Sequence, residues 1–178
     1  MEYLDLLDAD GNKTGVKKLK DQVHREGLLH KCVHVWIVNG KGEILLQKRA
    51  GKLSFPFHWD ASAAGHISAG SEPITTAVKE TLEELGLEVS EKEFEFLFTV
   101  KQLHKSGANF IENEIVDVYL VEKDLNLSSL KLQKSEVDCV KWIHFKELQK
   151  QISEGKEKIV PHPEEYERLF KILGERFC

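Results

Sequence analysis

The feature that most constrains the fold is one strongly amphipathic helix set among segments with strand-like patterning. Its predicted span is Pro73–Leu85, in which apolar and small residues recur at helical spacing. Ser71 is expected to cap this helix, Pro73 suits its first turn, and Gly86 suits its end. One face of the helix should therefore be buried. The residues of this apolar stripe are Ile74, Ala77, Val78, Thr81, Leu82 and Leu85.

Runs rich in β-branched and aromatic residues, separated by turn-forming residues, surround that helix. They predict strands at residues 2–8, 14–19, 30–38, 43–49, 94–103, 110–121 and 137–145. Helical patterning returns at residues 146–153 and 164–173. Many strands with few helices favour a mixed α/β domain.

The size and charge of the chain limit its class. Its 178 residues are 41% hydrophobic and 31% charged, which suits one globular domain with a proper core. The net charge of -5 gives no basic excess, so a nucleic-acid polymer is not an expected partner. We expect a single domain over residues 1–178, with a strand pair at 1–22, a core at 23–148 and a helical tail at 149–178.

Neither a membrane segment nor a secretory leader is expected. No apolar run approaches the roughly 18 residues that a membrane helix needs. Asp5, Asp8 and Asp10 interrupt the region where a signal peptide would need an apolar run. The 3 cysteines are widely spaced and form neither a disulfide framework nor a zinc-binding pair. These features predict a cytoplasmic protein.

Three carboxylates mark the same helix. Glu80, Glu83 and Glu84 are spaced i, i+3, i+4, so they share one face, roughly opposite the apolar stripe. Carboxylates this close repel one another. Hard oxygen ligands that converge on one face suit Mg²⁺ or Mn²⁺. A solvated acidic face is the alternative when the helix is taken by itself.

The segment Gly65–Leu87, GHISAGSEPITTAVKETLEELGL, resembles the Nudix box, a glycine and spacer followed by a glutamate-rich helix end. Three positions depart from that pattern: Ser71 stands for Glu, Lys79 for Arg and Thr81 for an apolar residue. In the family, that Glu and Arg brace the loop against the helix, so a bracing contact is expected to differ here. The positions that match the family spacing are Gly65, Glu80, Glu83, Glu84, Gly86 and Leu87.

This resemblance implies a fold, a cofactor and a chemistry. The fold is a mixed β-sheet sandwiched between helices, with the box as a loop-helix-loop. The cofactor is Mg²⁺, with Mn²⁺ as an alternative, held by Gly65, Glu80, Glu83 and Glu84. Glu80 or Glu84 acts as the base on water, and the substrate is a small-molecule diphosphate. The resemblance leaves a homodimer open.

Within this family, the chain most resembles the branch that includes isopentenyl-diphosphate isomerase. It shares the segment from His24 to His30, the Gly65-His66 pair and the ENE strand from Glu112 to Glu114. The isomerase places a proton-donating cysteine just before the Gly-His pair, where this chain has Ala64. Alanine has no proton to give. The intact box glutamates therefore favour hydrolase chemistry on an isomerase-like scaffold.

Other candidate site residues also come from this branch. Arg49 and Lys52 follow a predicted strand where the branch places phosphate-binding bases, although solvated loop charges are the alternative. Glu114 or Glu112 can supply a distal metal ligand or base, or lie on an exposed face. The histidines His24, His30 and His66 resemble the isomerase's metal ligands, with a structural role as the alternative.

Three functions therefore compete. The leading hypothesis is a Mg²⁺-dependent Nudix hydrolase that cleaves a diphosphate linkage in a nucleoside diphosphate derivative or a similar organic diphosphate. The alternatives are an isopentenyl-diphosphate isomerase, disfavoured by Ala64, and a non-catalytic ligand-sensing module, disfavoured by the intact carboxylates.

Overall fold

The computed structural model describes residues 1–51, 54–106 and 109–177. The strands are β1 (Tyr3–Leu7), β2 (Lys13–Leu19), β3 (His30–Val38), β4 (Glu43–Arg49), β5 (Trp59–Asp60), β6 (Ala63–His66), β7 (Phe94–Lys105), β8 (Ile111–Glu122) and β9 (Val137–His144). The α-helices are α1 (Lys20–Glu26), α2 (Pro73–Leu85), α3 (Phe145–Glu154) and α4 (Pro163–Phe177). Short 3-10 turns occur at Glu91–Glu93 and Leu127–Ser129.

The strands form a mixed sheet and a separate hairpin. The main path of the sheet runs β5-β4-β3-β8-β7, with β6 also paired to β3 and β9 also paired to β4. The central pair, β3 and β8, is parallel, and its register sets His30 opposite Glu114. The neighbouring pairs are antiparallel, and β1 with β2 makes an antiparallel hairpin of its own. This register brings a histidine and a carboxylate together at one end of the sheet.

Helices cover both faces of the sheet because the side chains of β3 alternate between two apolar clusters. Val33, Val35 and Ile37 belong to the cluster that also contains residues of α2. Trp36 and Val38 belong to the cluster that contains residues of α3 and α4. This arrangement confirms the expected mixed sheet sandwiched between helices. Among the described residues, no helix combines the length and apolarity needed to cross a bilayer.

Three elements, one helix and two short strands, were not predicted from the sequence. Helix α1 is only 7 residues long and ends where Gly27 adopts a φ of 64°. Strand β5 has only two residues, Trp59 and Asp60, and is held by pairing with β4. Strand β6 lies in a run of small residues with weak strand propensity and is held by pairing with β3.

The predicted helix Pro73–Leu85 has the expected bounds, and Gly86 ends it with a φ of 63°. Its cap differs from the prediction. Glu72, not Ser71, occupies the N-cap position, and its side chain makes no cap hydrogen bond. The Thr76 hydroxyl instead donates to the Glu72 carbonyl at 3.2 Å.

Candidate active site

A cavity of about 790 Å³ opens beside the C-terminal half of α2 and beside His162, which directly precedes α4. Most of the candidate site residues line it, because β3 and β8 begin and β4 and β6 end beside it. Lys52 falls outside the described residues. The candidates that line the cavity are His24, Arg49, Gly65, His66, Glu80, Glu83, Glu84, Glu112 and Glu114.

Gly65 makes room for Glu80. A Cβ atom at Gly65 would lie 2.4 Å from both Cγ and Cδ of Glu80, far inside van der Waals contact. The Glu80 side chain therefore crosses the β6 backbone at a point where only glycine fits. This packing places the Glu80 side chain against the β6 backbone at Gly65.

Glu84 is a buried carboxylate with neutral partners. It is 3% exposed, and it accepts hydrogen bonds from Gln47 Nε2 at 3.1 Å and from the Ala64 amide at 3.2 Å. Burial raises the pKa of Glu84 well above its usual value, and the negative charges of Glu136 and Glu80 add to the shift. Its ionised form therefore needs a cation, so Gly65, Glu80 and Glu84 fit a hard divalent ion.

The helix face differs from the sequence-based expectation. Glu84 turns into the protein instead of lying opposite the apolar stripe, and the stripe residue Leu82 is 46% exposed. Glu83 stays at the surface, where Lys79 bonds it and Glu80 at 3.1 Å each. Lys79, which stands for the family's arginine, thus neutralises box carboxylates.

The possible ligand atoms of the box glutamates lie farther apart than those of the histidine groups. Among the described residues, two groups of acidic or histidine side chains have ligand atoms all within 4.8 Å of one another. Neither group contains Glu80, Glu83 or Glu84. Like charges repel, and the ammonium of Lys79 lies between Glu80 and Glu83.

The first of those two groups consists of His24, His30, His66 and Glu114. The Nε2 atoms of His24 and His66 are 3.0 Å apart, and Oε1 of Glu114 lies 3.1 Å from Nε2 of His66 and 3.4 Å from Nε2 of His30. His30 Nε2 is buried and has no hydrogen-bond partner among the described residues. The structure thus brings together the histidines that the family resemblance indicated.

Electrostatics in this histidine cluster favour neutral rings at His24 and His66 beside an ionised Glu114 carboxylate. Burial lowers the pKa of His24 to about 3, and His66 and His30 reinforce the shift. Burial opposes ionisation of Glu114, but the neighbouring imidazoles of His30 and His66 outweigh it and hold the Glu114 pKa well below its usual value. Neutral imidazoles and one carboxylate are the donors that Zn²⁺, Mn²⁺ and Fe²⁺ accept.

Arg49 is partly engaged by its own loop. Its Nε donates to the Ser54 carbonyl at 2.7 Å, its Nη2 to Ser54 Oγ at 3.0 Å and its Nη1 to Asp60 at 2.8 Å. Ser54 Oγ in turn donates to Glu112 at 2.9 Å. An arginine has five N–H donors, so two remain for a ligand in the cavity.

Sequence reasoning missed a second polar group in the cavity wall. It joins His34 of β3, Asp60 of β5, and His162 and Glu165 at the start of α4. These residues are far apart in sequence and follow no motif. The available signals were a histidine inside the apolar run of β3 and a tail segment, Val160–Tyr166, whose residues indicated no chemistry.

Comparisons with known proteins agree with this geometry. The sequence matches the NUDIX domain family over residues 28–163. It is 40% identical to Nudix hydrolase 3 of Arabidopsis thaliana over 182 aligned positions, which cover 98% of this chain and 24% of that protein. The chain thus spans about a quarter of that relative's length.

Two further likenesses concern the branch and the fold. The chain is 29% identical to the isopentenyl-diphosphate Delta-isomerase of Roseobacter denitrificans over 86% of this chain and 84% of that enzyme. Its fold superposes on the crystal structure of DR0079 from Deinococcus radiodurans with a TM-score of 0.71 at 18% identity, over 99% of this chain and 100% of that one. The family match covers most of the chain and includes the residues that line the cavity from the box. The chain therefore belongs to the Nudix family.

Proposed function

We propose that the chain is a Mg²⁺-dependent hydrolase that cleaves the diphosphate linkage of a small organic diphosphate, with nucleoside diphosphate derivatives as the first candidates. Mn²⁺ is the alternative ion, and the cytoplasm is the expected compartment. The observation that carries the proposal is Glu84, a buried carboxylate with neutral partners beside Gly65 and Glu80. A carboxylate is costly to bury without a cation, and here one faces a cavity large enough for a nucleotide-sized ligand.

The proposed roles follow from position and charge. Mg²⁺, when bound, neutralises the diphosphate and makes water a better nucleophile. Gly65, Glu80, Glu83 and Glu84 are its proposed ligands. Because Glu80 and Glu84 both reach the cavity, either of them can accept the proton of the attacking water.

The part of the cavity beside Arg49 binds the substrate's phosphates in this proposal. Arg49 offers its two remaining N–H groups to phosphoryl oxygens, and Asp60 and Ser54 hold the guanidinium in place. Lys52, outside the described residues, is proposed as a second phosphate contact. Glu114 is proposed to act on the substrate side of the cavity through the histidine cluster.

One observation favours a second candidate function, isopentenyl-diphosphate isomerisation. The histidine cluster with Glu114 is built as the isomerase branch implies. Against it, Ala64 carries only a methyl group, and its amide is engaged by Glu84. A ligand sensor needs no buried carboxylate at the box, so this third reading lacks a supporting contact.

The test is hydrolysis in ¹⁸O-labelled water across a panel of nucleotide sugars, dinucleotides, dNTPs and prenyl diphosphates with MgCl₂. We expect cleavage of at least one diphosphate linkage, with the label on a phosphoryl group and not on carbon. Conversion of isopentenyl diphosphate to the dimethylallyl isomer, without label, would favour the second candidate. No turnover of any kind would contradict both enzyme proposals.

Replacing Arg49 by Lys should weaken catalysis while preserving the charge. The lysine has no planar fork, so it cannot hold Asp60 and Ser54 and also present two parallel donors to a phosphate. We expect kcat/KM to fall by about tenfold or more on the best substrate of the panel. A rise in KM alone would place the arginine on bound substrate, and a fall in kcat would place it on the developing charge.

The matched control is Arg25→Lys, which changes an exposed arginine on α1 outside the cavity. It should leave kcat/KM unchanged. Wild-type kinetics in Arg49→Lys would move the phosphate contact elsewhere, with Lys52 as the next residue to replace.

A further inference from the structure

His34 lines the cavity, and the buried carboxylate of Glu165 is hydrogen-bonded to its ring. It lies on β3 directly opposite Ala64 of β6, next to the amide that Glu84 accepts from. Its Nδ1 is 2.9 Å from one carboxylate oxygen of Glu165 and 3.1 Å from the other. Trp36 Nε1 donates to the same carboxylate at 2.7 Å. Glu165 is 1% exposed, so this orientation is fixed inside the protein.

A second imidazole–carboxylate pair supports the first. His162 Nε2 lies 3.0 Å from Oδ1 of Asp60, and its Nδ1 lies 2.9 Å from the amide oxygen of Gln102. Asp60 Oδ2 accepts from Arg49 at 2.8 Å. The rings of His34 and His162 meet edge to face, with their centroids 4.8 Å apart. One wall, made of hydrogen bonds and this ring contact, therefore runs from Glu165 on α4 to Arg49.

The ligand atoms of His34, His162 and Glu165 are close enough together to raise the question of a metal ion. Their bonding points to another role. Nδ1 of His34 and both ring nitrogens of His162 are already within hydrogen-bond distance of oxygen acceptors. Because Glu165 engages Nδ1, Nε2 is the nitrogen that the His34 ring has left for the cavity it lines.

We propose that His34 is a substrate-binding residue whose Nε2–H donates a hydrogen bond to a phosphoryl oxygen of the bound diphosphate. Glu165 is the positioning residue, because it fixes the orientation of the ring from the side away from the cavity. The site takes an anion, and the class of anion is the diphosphate group of the proposed substrate. This inference deepens the proposed function and rests on it for the identity of the ligand.

Charge supports this role. Burial disfavours the charged ring, but the Glu165 carboxylate outweighs it and raises the pKa of His34 to about 9. The ring is thus a cation at neutral pH, and a hydrogen bond from a cation to a phosphate is stronger than a neutral one. The charge is lost as pH rises through about 9. The titratable and charged groups around His34 are Glu165, His162, Asp60, Glu114, His104 and Arg49.

The experiment measures binding, so that it does not depend on turnover. Methylene diphosphonate, whose P–C–P bridge resists hydrolysis, is titrated calorimetrically into the full chain with saturating MgCl₂ at pH 7.5. We expect His34→Gln to weaken its binding by about tenfold or more, as for a lost hydrogen bond to a charged group. The control His58→Gln replaces a histidine outside the cavity, whose Nδ1 contacts only the Pro56 carbonyl among the described residues, and should bind as wild type does.

The pH dependence separates binding from a merely structural role. The ratio of wild-type to His34→Gln affinity should be largest below pH 9 and shrink above it, and this ratio cancels the titration of the ligand itself. Glu165→Gln keeps the size of the side chain that holds the His34 ring but removes the negative charge that raises the pKa of His34. In this variant the affinity for the diphosphonate should therefore fall at a lower pH than in the wild type.

Equal affinity of wild type and His34→Gln for methylene diphosphonate at pH 7.5 would overturn the inference. If the variants do not fold, the ring ¹⁵N resonances of wild-type His34 decide: a shift on adding the diphosphonate supports the inference, and no shift overturns it. Weakened binding in a protein without turnover would refute the hydrolase and retain the anion site. Turnover by the wild type, together with unchanged diphosphonate binding in His34→Gln, would support the hydrolase and refute the anion site at His34.

Discussion

Replacing Glu84 by Gln should lower kcat by a factor on the order of 10² or more with the fold intact. The amide has the same shape and keeps an oxygen that can accept from Gln47 and from the Ala64 amide. It removes the one buried negative charge that the proposed metal site places against neutral donors. Steady-state kinetics at saturating MgCl₂ on the best substrate measure the loss.

The same variant should be at least as stable as the wild type when metal is removed. A carboxyl whose pKa is raised on folding stabilises the protein below its unfolded pKa, and that contribution is lost as pH rises through the folded value. Metal-free wild type should therefore lose stability toward alkaline pH, and Glu84→Gln should lose less. Thermal denaturation at pH 8, with EDTA and then with MgCl₂, should show metal stabilising the wild type more than the variant.

The matched control is Glu88→Gln, an exposed glutamate shortly after the same helix. It should alter neither kcat nor the response to MgCl₂. A Glu84→Gln protein with wild-type kcat and an unchanged metal response would contradict the assignment of Glu84 to the cation site.

The part of this molecule that sequence predicts well is the part that local patterning controls. Helix α2 has the predicted bounds because its periodicity, its first-turn proline and its terminal Gly86 all agree. The longer strands also follow from alternation and β-branched runs, whereas their arrangement in one mixed sheet between helices was implied only by the family resemblance. The short strands β5 and β6 have little propensity of their own, and pairing with β3 and β4 decides their conformation.

The candidate site divides in the same way. The box glutamates are close in sequence and can be found from their spacing. The prediction that Glu84 lies opposite the buried face of the helix was wrong, because Glu84 is itself buried. Burial of Glu84 depends on β6 packing against α2, which periodicity does not contain. The pair of His34 and Glu165 joins residues 131 positions apart, so only the fold reveals it.

Gly65→Ala should lower kcat by a factor on the order of 10², although it adds a single methyl group. The new Cβ would lie 2.4 Å from Cγ and Cδ of Glu80, so the carboxylate must leave its position over the β6 backbone. Because the Glu80 side chain is flexible and can swing away, stability should change little while the proposed ligand and base is misplaced. Kinetics and thermal denaturation on one preparation separate the two effects.

The matched control for this change is Gly174→Ala, in helix α4. A Cβ there has nothing within 4 Å, so it adds no clash, and alanine should stabilise the helix by up to about 1 kcal/mol. Its kcat should equal that of the wild type. Full activity in Gly65→Ala would show that catalysis does not need the Glu80 carboxylate in its position beside Gly65. In that case Glu84 would have to accept the proton of the attacking water. A large loss of activity at wild-type stability would instead tie catalysis to the close approach of Gly65 on β6 and Glu80 on α2.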